Sequence, residues 1–318
     1  MRVVPGAEVH ALCTWDALVD ALAEAHRGPM PSVDRSEIHH AHGRTRNTYF
    51  NLPAWLDGVA MGTKVVTVLP ENPQAGLPAI QALYVLCEAR TGSPVAVIDG
   101  TALTYRKTAA DSALGARLLA REDSIHLVMA GAGGLAPYLV AAHRAVRPSL
   151  TRVSVWNRSG GKAKALAAQI GAEVVTDLDA AVREADIVCC ATNATEPLIR
   201  GAWLKPGAHL DLVGSFTPDM RECDDDAVRR ARLFVDSRQF AIDQPGDLAD
   251  PLRRGIIGRE RIEADLFDLC RHGPPRLRLP EDITLFKNGG GAHLDLFTAL
   301  FIWKAIGGRA SDAEGGGR

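Results

Sequence analysis

Two groups of residues in this chain have the types and spacing that chemistry needs. The first is Gly131-Ala132-Gly133-Gly134-Leu135-Ala136, set between the apolar runs 125–130 and 151–156. Gly131 permits a tight turn, and Gly133 lets the main chain approach a pyrophosphate held by unpaired N–H groups at a helix start. Ala136 keeps that helix close to its strand. Glycine is abundant, at 30 of 318 residues, so the triplet alone would be a weak signal. Its place between two apolar runs, ahead of a helix-like segment, makes it a dinucleotide-binding turn. The second group is cationic. Lys64 lies in Gly62-Thr63-Lys64-Val65-Val66-Thr67-Val68, where every neighbour favours a partly buried strand. A lysine there needs an anion or a proton-transfer task. Lys107 opens an alanine-rich helix, and Arg35 precedes His39 and His40 in a polar stretch. Such cations, brought together, would clamp a carboxylate and lower each other's proton affinity. For Arg35 a snorkelling surface residue is the plainer reading. His39, His40 and His42 lack a spacing that fixes ligand geometry, so no metal is expected.

The far end of the second strand bears on the cofactor. An NAD site usually places Asp or Glu there for the ribose hydroxyls. Here Asn157, Arg158 and Ser159 follow Trp156, with Lys162 close behind. A neutral amide, a guanidinium fork and a hydroxyl suit a 2′-phosphate. NADP(H) is therefore the expected cofactor, with NAD(H) possible. Ligands of an open α/β sheet lie beyond the carboxyl ends of its strands. That adds Gly134 and Leu135 in the glycine turn, Thr192-Asn193-Ala194 after the fourth strand, and Ser215-Phe216 after the fifth.

Stepping outward, these residues need a scaffold. Residues 10–26 read as a helix behind Thr14, 27–47 as a polar connector, 49–55 and 62–69 as strands, and 78–88 as a buried turn of helix. A strand at 95–99 and a helix at 105–121 complete a mixed first region. From 122 the pattern alternates strand and helix: strands at 125–130, 151–156, 173–175, 187–191, 209–213, 233–235 and 282–287, helices at 160–170 and 178–184. An apolar helix at 292–306 has no place in that sheet and is expected to return to the first region. The fold class is α/β: a Rossmann-type nucleotide domain at 122–286, and an α+β substrate and dimerisation domain built from both chain ends, 1–121 and 287–318.

Composition narrows the partners. Apolar residues make up 47% of the chain, and 36 Lys and Arg against 38 Asp and Glu leave a formal charge of -2. No basic block offers a nucleic-acid face. No apolar run approaches the about 18–20 residues that cross a bilayer, and Met1–Glu8 lacks a signal-peptide core, so a cytoplasmic protein is expected. Six scattered cysteines without CxxC spacing read as reduced packing residues.

Several segments together resemble the ornithine cyclodeaminase and mu-crystallin family over essentially the whole chain. They are 62–69 followed by Pro70-Glu71-Asn72, 99–113, 131–136, 155–158, 185–188 with Ala191-Thr192, 203–209 and 283–287. The resemblance implies a Rossmann domain, a homodimer and a small anionic imino or amino acid as substrate. It puts Lys64 on a lysine that contacts the substrate carboxylate and assists proton transfer. It matches Lys107 to a position usually held by a carboxylate-binding arginine, and Arg35 loosely to an N-terminal arginine. Where cyclodeaminases have an aspartate and a lysine around Pro218, this chain has Phe216 and Met220. That departure argues against cyclodeamination, and Phe216 would offer an apolar wall to an imine ring. The implied activity is NADPH-dependent reduction of 1-pyrroline-2-carboxylate or 1-piperideine-2-carboxylate to proline or pipecolate. The alternatives are an ornithine cyclodeaminase, an alanine or other amino-acid dehydrogenase, or a noncatalytic NADP(H)-binding protein.

Overall fold

A computed structural model describes residues 1–42 and 45–308. The chain forms two compact units, Met1–Lys107 with residues 291 onward, and Thr108–Gly290.

The first unit begins with strand β1 (Arg2–Val4) and helices α1 (Gly6–Leu12) and α2 (Trp15–Arg27). Strands β2 (Ser32–Val33), β3 (Ser36–His42), β4 (Thr45–Leu56), β5 (Ala60–Val68), β6 (Ile80–Glu88) and β7 (Pro94–Asp99) follow. Among the described residues they make one sheet in the order β1-β7-β6-β5-β4-β2, with β3 also paired to β4. Every pairing is antiparallel except β1 with β7. On α2, Leu18, Leu22 and His26 recur at four-residue spacing beside Val19 and Ala23, giving one buried stripe. The final helix, Ala292–Ala305, packs against α2, β4, β5 and β6. Its residues from Ala292 to Leu300 are all buried, as an almost uniformly apolar helix requires.

The structure departs from two sequence expectations in this unit. Residues 78–88 contain strand β6, not a turn of helix. In Ile80-Gln81-Ala82-Leu83-Tyr84-Val85-Leu86-Cys87 nearly every position is apolar, and such a run loses the alternation that marks a strand. The polar connector 27–47 holds β2 and β3, whose pairing with β4 supplies what their composition does not signal.

Helix α3 (Gly100–Leu119) leads into the second unit, and the unit boundary falls within it. Then come β8 (His126–Ala130), α4 (Ala136–Val146), β9 (Arg152–Trp156), α5 (Gly160–Ile170), β10 (Glu173–Val174), α6 (Leu178–Glu184) and β11 (Ile187–Cys190). The second half holds β12 (His209–Leu212), α7 (Asp225–Arg230), β13 (Arg232–Val235), α8 (Arg238–Ala241), α9 (Gly246–Arg253), β14 (Ile262–Asp265), α10 (Leu266–His272) and β15 (Thr284–Lys287), before α11 (Ala292–Ala305) returns to the first unit. Among the described residues the sheet order is β10-β9-β8-β11-β12-β15-β13-β14, with every neighbouring pair parallel. Strands β8, β11 and β12 are buried along their whole length, as strands covered on both faces must be. One core layer joins Val128, Val188, Leu210, Leu212, Leu233 and Leu285. Cys189, Cys190 and Cys223 are buried in this unit and Cys13 in the first. Among the described residues no helix is long and apolar enough to cross a membrane.

Candidate active site

Strand order in the second unit reverses between β8 and β11, and the crevice beyond their carboxyl ends is where a parallel sheet takes its ligand. The glycine turn sits there. Gly131 has φ +113°, and a Cβ on it would lie 2.4 Å from Ala191 O, so only glycine lets the turn cross β11 this closely. Its N–H donates to Trp156 O at 2.9 Å. Over Gly133 the space is open, with nothing within 4 Å of a built Cβ. Among the described residues the N–H groups of Gly133, Gly134 and Leu135 donate to no protein acceptor. Leu135 caps α4 without a side-chain bond, and Pro137 stands in the first turn where a missing N–H is harmless. An uncapped helix start with free donors and open space fits a pyrophosphate.

Asn157 has a different task from the one its position suggests. Its Oδ1 accepts from Ala132 N at 3.2 Å and its Nδ2 donates to Ser159 O at 3.1 Å, so the amide braces the glycine turn. Arg158, Ser159 and Lys162 are exposed at the start of α5.

The loops after β11 and β12 are tied together by a residue that the sequence did not reveal. Glu222, fully buried, accepts from Thr192 N at 2.7 Å, Thr192 Oγ1 at 2.9 Å and Gly214 N at 2.6 Å. Ser215 Oγ donates to Met220 O at 2.7 Å, and Ala194 N to Thr192 Oγ1 at 3.3 Å. Beneath lies Asp247, which accepts from Glu222 N at 2.7 Å and pairs with Lys287 Nζ at 3.4 Å. Burial first, and Asp247 second, push the Glu222 carboxyl up to about 7 against the pull of Lys287. Asn193 and Phe216 are exposed on these loops, Phe216 at 59%. Nearby, Asp211 accepts from Ser112 Oγ at 3.0 Å through Oδ1 and from Cys189 Sγ at 3.1 Å through Oδ2, with His143 Nε2 3.5 Å from that same Oδ2.

In the first unit, β5 carries Lys64 into the buried side of the sheet, directly opposite Leu52 on β4 and Tyr84 on β6. Its Nζ lies 2.9 Å from Asp295 Oδ1 and 2.8 Å from Oδ2, with Thr104 Oγ1 at 3.5 Å. Lys64 is 6% exposed and Lys107, on α3, 4%. Burial pulls Lys64 below the usual lysine range, Asp295 opposes this, and Lys107 adds to it. The Tyr84 hydroxyl is fully buried with no hydrogen-bond partner among the described residues. The structure thus brings Lys64 and Lys107 together and adds Asp295, Thr104 and Tyr84, which the sequence reading missed. The one available signal was a lone aspartate in the apolar run of α11. Arg35 is on the surface, 3.2 Å from Glu37 and with its guanidinium 4.7 Å over the Phe50 ring. His39 and His40 are successive on β3 and so point to opposite faces; the His42 side chain lies outside the described residues.

The family model for the ornithine cyclodeaminase/mu-crystallin family matches residues 4–309. A Delta(1)-pyrroline-2-carboxylate reductase of Paracoccus denitrificans is 43% identical, over 93% of this chain and 94% of its own. Among solved structures, the Delta(1)-pyrroline-2-carboxylate reductase of Thermococcus litoralis, in complex with NADH and L-proline, is 28% identical with a TM-score of 0.87, covering 96% of this chain and 97% of that one. An archaeal alanine dehydrogenase dimer with bound NAD is 25% identical, TM-score 0.86, covering 96% of each. The expected preference for NADP(H) is overturned by these complexes, which hold NADH and NAD. The physical reason lies at the end of β9. Asn157 is engaged with the glycine turn, and Arg158, Ser159 and Lys162 are exposed side chains that no partner among the described residues gathers into a phosphate cradle. Fold, glycine turn and a sequence match running almost end to end agree that the chain belongs to the ornithine cyclodeaminase/mu-crystallin family.

Proposed function

We propose that this chain is an NAD(H)-dependent reductase of a cyclic ketimine carboxylate, converting 1-pyrroline-2-carboxylate or 1-piperideine-2-carboxylate to proline or pipecolate. The observation that carries the reading is the pair of buried lysines, Lys64 and Lys107, in a chain 43% identical to a Delta(1)-pyrroline-2-carboxylate reductase. Two buried lysines, of which Lys64 is paired with the Asp295 carboxylate, make a site that favours an anion.

The nicotinamide ring, when bound, supplies the hydride that reduces the imine carbon. The N–H groups of Gly133, Gly134 and Leu135 would hold the pyrophosphate, and Thr192, Asn193, Ala194, Ser215 and Phe216 would line the crevice on the nicotinamide side. Lys64 and Lys107 hold the substrate carboxylate and so fix the ring. The imine nitrogen must carry a proton for its carbon to accept hydride, and Lys64 sustains that proton directly or through a water. Orientation is the main contribution of these side chains. Arg35, exposed in the single chain, is retained as a candidate for the carboxylate only within a dimer.

A homodimer is part of the proposal. On the face of the first unit's sheet opposite Lys64, Tyr49, Trp55 and Leu83 are exposed at 42%, 48% and 41%, large apolar side chains of the kind that a pairing surface covers.

The test is direct. Both ketimines are offered with NADH and consumption of NADH is followed. The expected result is turnover with at least one of them and formation of the cyclic amino acid. Ammonia released from ornithine or alanine, with no ketimine turnover, would replace this reading with a deaminating one.

A further inference from the structure

The Lys64 site contains more than its substrate-facing cations. Lys64 stands on β5 and Asp295 on the first turn of α11, 231 residues apart, yet both carboxylate oxygens lie within 2.9 Å of Nζ. The two side chains are 8% and 1% exposed. An ammonium has three N–H donors. Asp295 occupies one, Thr104 at 3.5 Å is a marginal contact, and at least one donor remains for a ligand. Lysine has a flexible four-carbon stem, and a second lysine, Lys107, is buried beside it. Among the described residues, Asp295 is the carboxylate paired with Lys64.

We propose that Asp295 is a positioning residue of the substrate site, anchoring Lys64 so that the lysine meets the ketimine carboxylate as an ammonium at a fixed place. The proposal rests on the reading of Lys64 as a carboxylate-binding residue. It follows from the groups that face Lys64. Asp295 comes from α11, Lys107 and Thr104 from α3, and Tyr84 stands opposite on β6, while His293 of α11 lies against His26 of α2 at a ring separation of 5.8 Å. Burial and Lys107 both favour a neutral Lys64, and the buried Asp295 opposes them. His293 does not take over this role, because burial, then His26 and Lys107, hold it well below the usual histidine range, and it carries no negative charge in any state. Without Asp295 the lysine loses both its anchor and its reason to keep a proton.

Replacing Asp295 separates this role from simple packing. In Asp295→Asn, kcat/KM for the ketimine is expected to fall about a hundredfold at pH 8, chiefly through KM, with the loss partly recovered at lower pH and in Asp295→Glu. Affinity for NADH should hold. A packing role would lower the folded fraction without moving the pH profile, so an unmoved profile overturns the proposal. A second readout is independent of turnover. With lysines labelled at 13Cε and the Lys64 signal assigned through Lys64→Gln, the Lys64 signal of Asp295→Asn should titrate at lower pH than that of the native enzyme. An identical titration overturns the coupling. If the titration shifts while the native enzyme reduces neither ketimine, the coupling stands and the substrate reading falls. Should Asp295→Asn fail to fold, Asp295→Glu carries the test: Lys64 should keep its native titration while KM rises several-fold, and an unchanged KM with full activity overturns the anchor.

Discussion

A lysine and an aspartate sealed together bind tightly only as a pair. Removing Lys64 alone strands Asp295, which is 0% exposed, and breaking a buried pair from one side costs about 3–5 kcal/mol. Lys64→Gln should therefore be strongly destabilised in equilibrium urea unfolding, with Lys64→Gln/Asp295→Asn recovering part of the loss. A double variant no more stable than the single one would contradict the pairing. Tyr84 should behave in the opposite sense. A buried hydroxyl without a partner carries a desolvation penalty of about 1–3 kcal/mol, so Tyr84→Phe should match or exceed the native melting temperature. A clear drop would mean that the hydroxyl is engaged after all. Lys64 was legible in the sequence because an ammonium among β-branched residues contradicts its surroundings. Asp295 was not, since its meaning depends on a lysine 231 positions away.

Elements were legible wherever one period dominated. The glycine turn, the alternation of strands and helices after residue 122 and the apolar last helix all carry local signals. Strand β6 is apolar at Leu83, Tyr84, Val85 and Leu86 in succession, so its two faces do not differ in sequence although one is buried and the other partly exposed. Glu222 belongs to the illegible class, because from the end of the loop after β12 it closes that loop at Gly214 and reaches across to Thr192 in the loop after β11. Its carboxyl is pushed up to about 7 from the ordinary 4.5. The folded chain thus holds this proton more tightly than the unfolded one. The associated stability is complete below about pH 4.5 and is lost as pH rises through about 7. Glu222→Gln should be less stable than the native chain at every pH, since its amide NH₂ must meet an N–H of Thr192 or Gly214. It should also lack this slope. Urea midpoints across pH 4.5 to 8 would check it, and parallel curves for the two proteins would refute the assignment.

At the scale of the whole molecule, the first unit depends on α11. From Ala292 to Leu300 every residue of α11 is buried against α2 and the sheet. A chain ended at residue 290 should lose cooperative unfolding of the first unit and bind a hydrophobic dye, measurable by circular dichroism and fluorescence. Native-like behaviour of that truncation would show the unit to be self-sufficient. The expectation that the chain's end returns to the first region came from an apolar helix with no place in the nucleotide sheet, which is a statement about what must be covered rather than about any motif. The cysteines carry a last implication. Cys13 lies in one unit and Cys189, Cys190 and Cys223 in the other, all sealed, with burial as the first cause raising each thiol above its ordinary range. A sulfhydryl kept protonated and out of reach reacts only when its surroundings come apart. Alkylation followed site by site is therefore a built-in clock, timing the opening of each half of the molecule separately without any probe having to be introduced.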